Sequence, residues 1–249
     1  MVRNNLKEVM RVIYITLIFI FSLCIVNAQT NKLDSITTKQ IIKKSILPVT
    51  LIGAGLIINN SEFEKNLQID IRNKVGNDFV FHIDDYIQYI PIAELYIADI
   101  LKVKSKNHWF EQTKYLIISN IITSGITHGL KNLTDKTRPN GGENSFPSGH
   151  TSFSFTNATV LFNEFHKTAP LLAYSGYLFS TTTGVFRILN NKHWLSDVLV
   201  GAGIGIIVTD IIYYIEPFKK FNPFKNTKNI SFIPKISNDR YELYFSYKL

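Results

Sequence analysis

The sequence predicts an all-α helical bundle followed by a small C-terminal β-hairpin. Six apolar stretches of 13 to 19 residues follow residue 45, and most are too long for strands. Helix-start signals precede three of them: Pro170, Ser148 and the Asn190-Asn191 pair. No Pro/Gly/Ser-rich linker divides the 249 residues, which suits one domain. The stretches are 46–58, 86–103, 115–130, 151–165, 171–189 and 198–215.

Residues 1–28 are predicted to be a cleaved signal peptide. Three basic residues precede an apolar run at 12–26, and residues 26–28 suit cleavage before Gln29. The alternative is an uncleaved anchor, although the run is shorter than the ~20 residues that a span needs. The only cysteine, Cys24, lies in this segment, so the mature chain would contain no thiol.

The helical domain is predicted over residues 29–228. The stretch 46–58 is short enough to be interfacial or buried, and omitting it leaves five candidate membrane crossings. An odd number of crossings after a periplasmic N-terminus would place the three motifs described below in the periplasm. The lysines at 102–114 and 219–220 would then lie inside, as the positive-inside rule prefers. Polar residues within several stretches leave a soluble periplasmic chain as the alternative.

Residues 229–249 differ from the rest of the chain. The segments 230–236 and 241–249 are rich in β-branched and aromatic residues, and residues 237–239 have turn chemistry. We therefore predict a small β-hairpin tail, to which the sequence assigns no function.

The charge of the chain favours anionic partners. The formal net charge is +8, and removing residues 1–28 takes away three basic residues and one acidic residue, which leaves +6. This suits phosphorylated substrates or anionic lipid surfaces. The basic residues are dispersed and no nucleic-acid motif accompanies them, so nucleic acid is a poor candidate partner. No metal-ligand spacing and no Gly-rich nucleotide loop is present, so we expect no metal and no cofactor.

Three motifs between residues 131 and 197 carry the chemistry. The first combines Lys131 with Arg138-Pro139, the second is Pro147-Ser148-Gly149-His150, and the third combines Arg187, His193 and Asp197. Cationic side chains bind phosphate through charge-assisted hydrogen bonds and stabilise the charge that develops on a transferring phosphoryl group. One histidine can attack phosphorus while another protonates the leaving oxygen.

This pattern resembles the type 2 phosphatidic acid phosphatase superfamily, which includes lipid phosphatases, bacterial acid phosphatases and vanadium haloperoxidases. The resemblance implies that His193 is the nucleophile, that Asp197 orients it, and that His150 is the general acid. The phosphate would be bound by Lys131, Arg138, Arg187 and the backbone N–H groups of Ser148 and Gly149. The chain departs from the family pattern at Phe186, where a serine is usual.

Other residues near the motifs receive simpler interpretations. Arg187 ends an apolar run and should have an anionic partner. Lys136 and Lys192 are expected to be solvated. His128 is interpreted as a hydrogen-bonded structural residue, with a place in the pocket as the alternative. Two aspartates and a glutamine could meet a lipid headgroup, although capping explains the aspartates equally well; they are Asp84, Asp85 and Gln88.

The sequence therefore predicts a metal-independent phosphatase that hydrolyses a membrane lipid phosphate through a phosphohistidine. Candidate substrates are lipid A, undecaprenyl diphosphate and phosphatidylglycerol phosphate, and the run at 191–198 resembles lipid A 4′-phosphatases. We expect an inner-membrane location with a periplasm-facing site. The alternatives are a soluble periplasmic acid phosphatase, a haloperoxidase, for which the chain is short, and a non-enzymatic membrane protein.

Overall fold

The computed structural model describes residues 35–222, 230–237 and 240–247, with side chains from 42 to 222. The predicted signal peptide, Cys24 and residues 238–239 of the predicted turn lie outside the described residues. The described chain contains eight helices: α1 (Ser35–Ile58), α2 (Glu62–Val75), α3 (Asp84–Ile87), α4 (Ile90–Ile100), α5 (Trp109–Thr134), α6 (Gly149–Phe165), α7 (Pro170–Leu189) and α8 (Leu195–Ile215).

Helix α6 lies at the centre of the bundle. It packs against α7 and α8, and it also contacts α4 and α5. Its buried side chains join a core that includes Val160, Leu161 and Phe165, together with Leu95 of α4 and Tyr115 of α5. Because both motif-bearing neighbours, α7 and α8, rest on this one helix, their site residues are held at a fixed distance from its first turn.

Glycines on α8 allow close helix packing. A Cβ on Gly201 would lie 2.7 Å from the Ser148 carbonyl oxygen of the segment that enters α6. A Cβ on Gly203 would lie 2.8 Å from the Pro48 carbonyl oxygen of α1. Two faces of α8 therefore pack directly against the backbone of neighbouring segments, and no side chain fits at these two glycine positions.

The extent of α1 differs from the prediction for residues 46–58. The helix has 24 residues and is about 36 Å long at 1.5 Å per residue. Its Gly55 packs against Ser196 and Val200 at the start of α8. The Lys44 ammonium lies 3.8 Å from the Asp210 carboxylate near the end of α8. Helix α1 thus runs along the whole of α8 and is longer than the predicted stretch 46–58.

The stretch 86–103 is not one long helix. It contains part of α3, which has four residues, and α4, which has 11. An 11-residue helix is about 17 Å long, well short of a 30 Å hydrocarbon core. Tyr89 lies between the two helices and Pro91 occupies the first turn of α4. The prediction that the stretch 86–103 is one of five crossings is therefore wrong.

The bundle has two functionally distinct ends. At one end, the Ser148 amide donates to the Asp197 carbonyl oxygen over 2.9 Å, which joins the second and third motifs. At the other end, the Lys106 amide donates to the Glu164 carbonyl oxygen, and the Lys114 ammonium donates to that of Phe218. The lysines of the 101–108 loop therefore lie at the end opposite the motifs, as the sequence predicts.

Helix starts agree with the sequence at two of three places. Pro170 begins α7, and Ser148 is the N-cap of α6. The Asn190-Asn191 pair does not cap α8, which begins after Trp194. Asn190 instead bonds to the Phe81 backbone, which fixes the loop before α3.

Two strands follow the helices in the described chain. Strands β1 (Ile230–Ser237) and β2 (Arg240–Tyr247) are antiparallel. Ile230 lies opposite Tyr247, and Ser237 lies opposite Arg240.

We predict that Gly205→Ala lowers the free energy of unfolding by about 1–3 kcal/mol, because the new Cβ overpacks the interface. It would lie 2.5 Å from the Ser152 carbonyl oxygen and 2.8 Å from the Thr156 amide, and neither backbone group can move aside. The matched control is Gly53→Ala in α1, where a Cβ meets nothing within 4 Å and the substitution should be neutral or stabilising. Denaturant unfolding of both variants measures this; equal stabilities would contradict the packing role.

Candidate active site

A cavity of about 360 Å³ opens at the motif end of the bundle. Six of the eight predicted site residues line it: Lys131, Arg138, Gly149, His150, Arg187 and His193. The other two, Ser148 and Asp197, are fully buried behind it. The three motifs therefore meet in one place, as their chemistry requires.

His193 and Asp197 form the buried pair that the sequence predicts. The His193 Nδ1 atom lies 3.4 Å from the Asp197 carboxylate. The same carboxylate accepts hydrogen bonds from the Trp194 amide at 2.9 Å and from the Ser145 hydroxyl. With the Nδ1 proton directed at Asp197, the Nε2 lone pair of His193 is left for the cavity.

Burial sets the protonation state of His193. It lowers the pKa of this histidine to about 4, against the opposing effect of Asp197. The cationic Lys131 and Arg187 contribute to this lowering of the pKa. The imidazole is therefore neutral at pH 7, which is the form that can attack an electrophile.

Lys136 is not solvated, contrary to the prediction. Its side chain is buried and donates to the Asp197 carboxylate at 3.0 Å, to Glu64 at 3.2 Å and to the Ser196 hydroxyl at 2.8 Å. No pattern in the sequence indicates this contact, because the two carboxylates lie 61 and 72 residues away along the chain.

His150 occupies the first turn of α6 and reaches the cavity. Its Nε2 atom lies 3.1 Å from the Asp85 carboxylate. Gly149 lines the cavity beside it, and a Cβ there would face the Lys131 side chain at 3.9 Å. The helix N-terminus can thus present the Gly149 amide to an anion.

Ser148 does not have the role in phosphate binding that the motif suggested. Its amide donates to the Asp197 carbonyl oxygen, and its hydroxyl bonds to Thr151 over 2.9 Å. Because both groups are used inside the protein, Ser148 joins α6 to α8 behind the cavity.

Arg187 has the anionic partner that its apolar surroundings require. The guanidinium donates to Asp84 at 2.7 Å and lies 3.6 Å from Asp85. Its Nε–H group is buried without a hydrogen-bond partner. Asp84 and Asp85 are therefore neither caps nor free headgroup ligands, and Asp84 also accepts from Asn190 at 2.8 Å.

Lys131 and Arg138 are held from behind by backbone carbonyls. Lys131 donates to Asn144 and Ser145, and Arg138 donates to Glu143 over 2.9 Å. Burial, and then the nearby Arg187, lower the pKa of Arg138. Three cations around one small cavity favour an anionic ligand. Among the described residues, no three His, Cys, Asp or Glu side chains are placed to hold a metal ion.

Two further residues that the sequence analysis singled out, His128 and Phe186, lie near the cavity. His128 lines the cavity, in agreement with the alternative interpretation of this histidine. Phe186, which replaces the usual serine, packs its ring 5.6 Å from that of Phe81. This contact stabilises the loop that precedes α3, the helix that carries Asp84 and Asp85.

We predict that the imidazole of His193 stays neutral down to about pH 5, because burial outweighs its carboxylate partner. NMR titration of labelled histidine measures this without any substrate. In Asp197→Asn the same residue should titrate at still lower pH, since the carboxylate that favours the imidazolium is gone. A wild-type transition near pH 6.5 would contradict the burial argument.

Comparisons with known proteins agree with the motifs. The family model described as "PAP2 superfamily" matches residues 140–221, which include the second and third motifs but not Lys131, Arg138 or the β-strands. A lipid A 1-phosphatase from Porphyromonas gingivalis is 33% identical over 169 residues, 67% of this chain and 37% of that protein. A probable lipid phosphate phosphatase 4 from Arabidopsis thaliana is 34% identical over 99 residues, 35% of this chain and 30% of that protein.

The fold agrees as well. The crystal structure of a transmembrane PAP2-type phosphatidylglycerolphosphate phosphatase from Bacillus subtilis matches with a TM-score of 0.51 and 15% identity, covering 72% of this chain and 99% of that one. The chain spans well under half the length of the two curated relatives above. From its motifs, their geometry and these matches, the chain belongs to the PAP2 superfamily, the type 2 phosphatidic acid phosphatases.

Proposed function

We propose that this chain is a phosphatase that hydrolyses a membrane lipid phosphate through a phosphohistidine, without a metal ion. The observation that carries the proposal is the cavity in which three cations and two histidines meet, with His193 neutral and held by Asp197. Positioned cations can supply the charge stabilisation that phosphoryl transfer needs.

In the first step, Lys131, Arg138 and Arg187 bind the non-bridging oxygens of the phosphate. The Nε2 lone pair of His193 attacks phosphorus, so a P–N bond forms as the P–O bond to the lipid breaks. His150 donates a proton to the leaving oxygen. Asp197 stabilises the positive charge that the His193 ring acquires.

In the second step, water attacks the phosphorylated His193. His150, now neutral, takes a proton from this water, and the P–N bond breaks to release inorganic phosphate. Both histidines return to their starting states. In the unliganded protein the Nε2 atom of His150 contacts Asp85. This contact must open before Nε2 can donate a proton in the first step.

Exposed apolar faces favour a lipid substrate. Large apolar side chains project outward from α1, α5 and α7, and on α7 they extend over about 21 Å of helix, from residue 171 to residue 185. Such faces suit contact with a membrane. A bundle embedded in this way would place its cavity near the phosphate headgroups at the membrane surface. They include Ile42, Ile46, Leu47, Ile117, Ile121, Leu171, Leu178 and Val185. The soluble periplasmic alternative leaves them unexplained.

By length and composition, α8 could cross a membrane, although most of it is buried in the bundle. Residues Ile42–Ile58 of α1 pass the same test only together with α2, which follows at a 90° bend. The names of the relatives support a lipid phosphate, and they include a lipid A 1-phosphatase and a phosphatidylglycerolphosphate phosphatase. Lipid A, undecaprenyl diphosphate and phosphatidylglycerol phosphate remain the candidate substrates.

We propose that the cavity faces the periplasm, because the lysine-rich 101–108 loop lies at the other end of the bundle. This conflicts with cleavage after Ala28 if α1 crosses the membrane. A crossing α1 whose start lies in the periplasm would carry the motif end into the cytoplasm. A periplasm-facing cavity thus requires that the segment before Ser35 be retained or that α1 not cross.

We predict that His193→Ala lowers kcat/KM by a factor of about 10⁴ or more, because the nucleophile is removed. His150→Ala should hydrolyse alkyl phosphates poorly but still transfer phosphate from p-nitrophenyl phosphate to the enzyme, since that leaving group needs no proton. The phosphoenzyme should then accumulate, because His150 also activates water.

The matched control is His108→Ala, at the opposite end of the bundle, which should keep wild-type rates. Assays against lipid phosphates and p-nitrophenyl phosphate, with isolation of acid-labile phosphoprotein, measure these effects. Wild-type turnover in His193→Ala would rule out the assignment.

We predict that a cysteine at Asn140 reacts with a membrane-impermeant thiol reagent in intact cells, whereas a cysteine at Lys104 does not. Both side chains are exposed, at opposite ends of the bundle. A Cys24→Ser background removes the native thiol whether or not the segment is cleaved. Labelling at both positions would favour the soluble alternative, and labelling at Lys104→Cys alone would place the cavity in the cytoplasm.

A further inference from the structure

We infer that Lys136 and Glu64 are positioning residues that act through Asp197 to hold His193 neutral and correctly oriented. The role of His193 in this inference rests on the proposed function. Neither residue lines the cavity, so they do not contact substrate. They lie behind the nucleophile, on two segments that come together only in the folded protein.

Lys136 bridges two deeply buried carboxylates at this end of the bundle. It is 8% exposed, and Glu64 and Asp197 are 2% and 0% exposed. Its ammonium lies 3.2 Å from the Glu64 carboxylate and 3.0 Å from the Asp197 carboxylate. Two unpaired carboxylates would be costly to bury here, so the shared cation stabilises both of them.

Glu64 extends the network to other segments. Its carboxylate accepts from the Ser196 amide at 2.8 Å in the first turn of α8. It also accepts from the Asn60 amide at 3.0 Å, at the end of α1. A change at Glu64 therefore reaches Asp197 through both Lys136 and the first turn of the helix that carries Asp197.

The charges near His193 come from several elements, including Asp84 and Asp85 of α3, which lie against Arg187 and His150. Asp197 contributes a negative charge from α8, and Glu64 contributes one from α2 behind Lys136. Cations approach from α5, from the following loop and from α7, while His150 lies on α6. These cations are Lys131, Lys136, Arg138 and Arg187.

Because the network is closed to water, removing one charge changes how strongly the cluster binds a proton. Loss of the Lys136 cation favours protonation of either Asp197 or His193. Protonated Asp197 no longer orients the ring, and protonated His193 no longer attacks, so both outcomes reduce activity at low pH. Loss of the Glu64 charge acts in the opposite direction.

The test uses Lys136→Met, Glu64→Gln and the double variant in otherwise intact protein. Lys136→Met should move the titration of His193, and the acid limb of kcat/KM, to higher pH by about one unit or more. Glu64→Gln should move both to lower pH, and the double variant should lie close to wild type. In Lys136→Met, kcat should fall about 10–100-fold with KM nearly unchanged, because phosphate binding is not involved.

The matched control is Lys192→Met, which removes a cation next to His193 in sequence that contacts neither carboxylate; it should leave the titration unchanged. Shifts in the same direction for the two single variants, or no recovery in the double variant, would overturn the inference, because a merely structural role predicts additive losses of stability. If Lys136→Met does not fold, Glu64→Gln alone decides by the sign of its shift.

The NMR titration of His193 separates this inference from the proposed function, since it needs no substrate. If the two single variants shift the titration of His193 in opposite directions but the wild-type chain hydrolyses no phosphate, the proposed function is overturned and the network is supported. If the wild-type chain hydrolyses phosphate normally but neither variant shifts the titration of His193, the inference is overturned and the proposed function is supported.

Discussion

The site depends on one carboxylate. Asp197 accepts hydrogen bonds from His193, the Trp194 amide and the Ser145 hydroxyl, and it pairs with Lys136. Its backbone carbonyl accepts from the amide that precedes α6. The loop after α5, the entry to α6 and the first turn of α8 are therefore fixed by a single residue. A carboxylate can do this because it has about four acceptor positions and no competing donor.

The helix packing makes these contacts possible. The Ser148 amide reaches Asp197 only because α8 approaches α6 at Gly201 and Gly205, where any side chain would collide with backbone. The position of Gly203 on a different face lets α1 approach equally closely. The geometry of the candidate site is thus set partly by residues that lie along the α8 axis and outside the cavity. A methyl group added at Gly205 would act at a distance on the spacing of the second and third motifs.

Much of the site could be predicted from the sequence, because the motifs fix which residue types follow one another at helix ends. The convergence of Lys131, His150 and His193 follows from this spacing and the family resemblance. Lys136 could not be recognised, because a buried lysine and a solvated lysine look alike when the partners are 61 and 72 residues away. The length of α1 was missed because Lys43 and Lys44 interrupt its hydropathy. In the fold, Lys44 is accommodated by Asn163 and Asp210.

The cations of the cavity are anchored before any ligand arrives. Backbone carbonyls hold Lys131 and Arg138, and Asp84 holds Arg187 while leaving its Nε–H group unpaired. A phosphate that enters the cavity therefore does not have to order three long side chains, each of which would otherwise cost about 0.5–1.5 kcal/mol to immobilise. The acidic partners lie behind or beside the cations, so they reduce the repulsion among them without filling the phosphate position. This arrangement fits the proposed phosphoryl transfer, because preorganised donors contribute most where charge develops in the transition state.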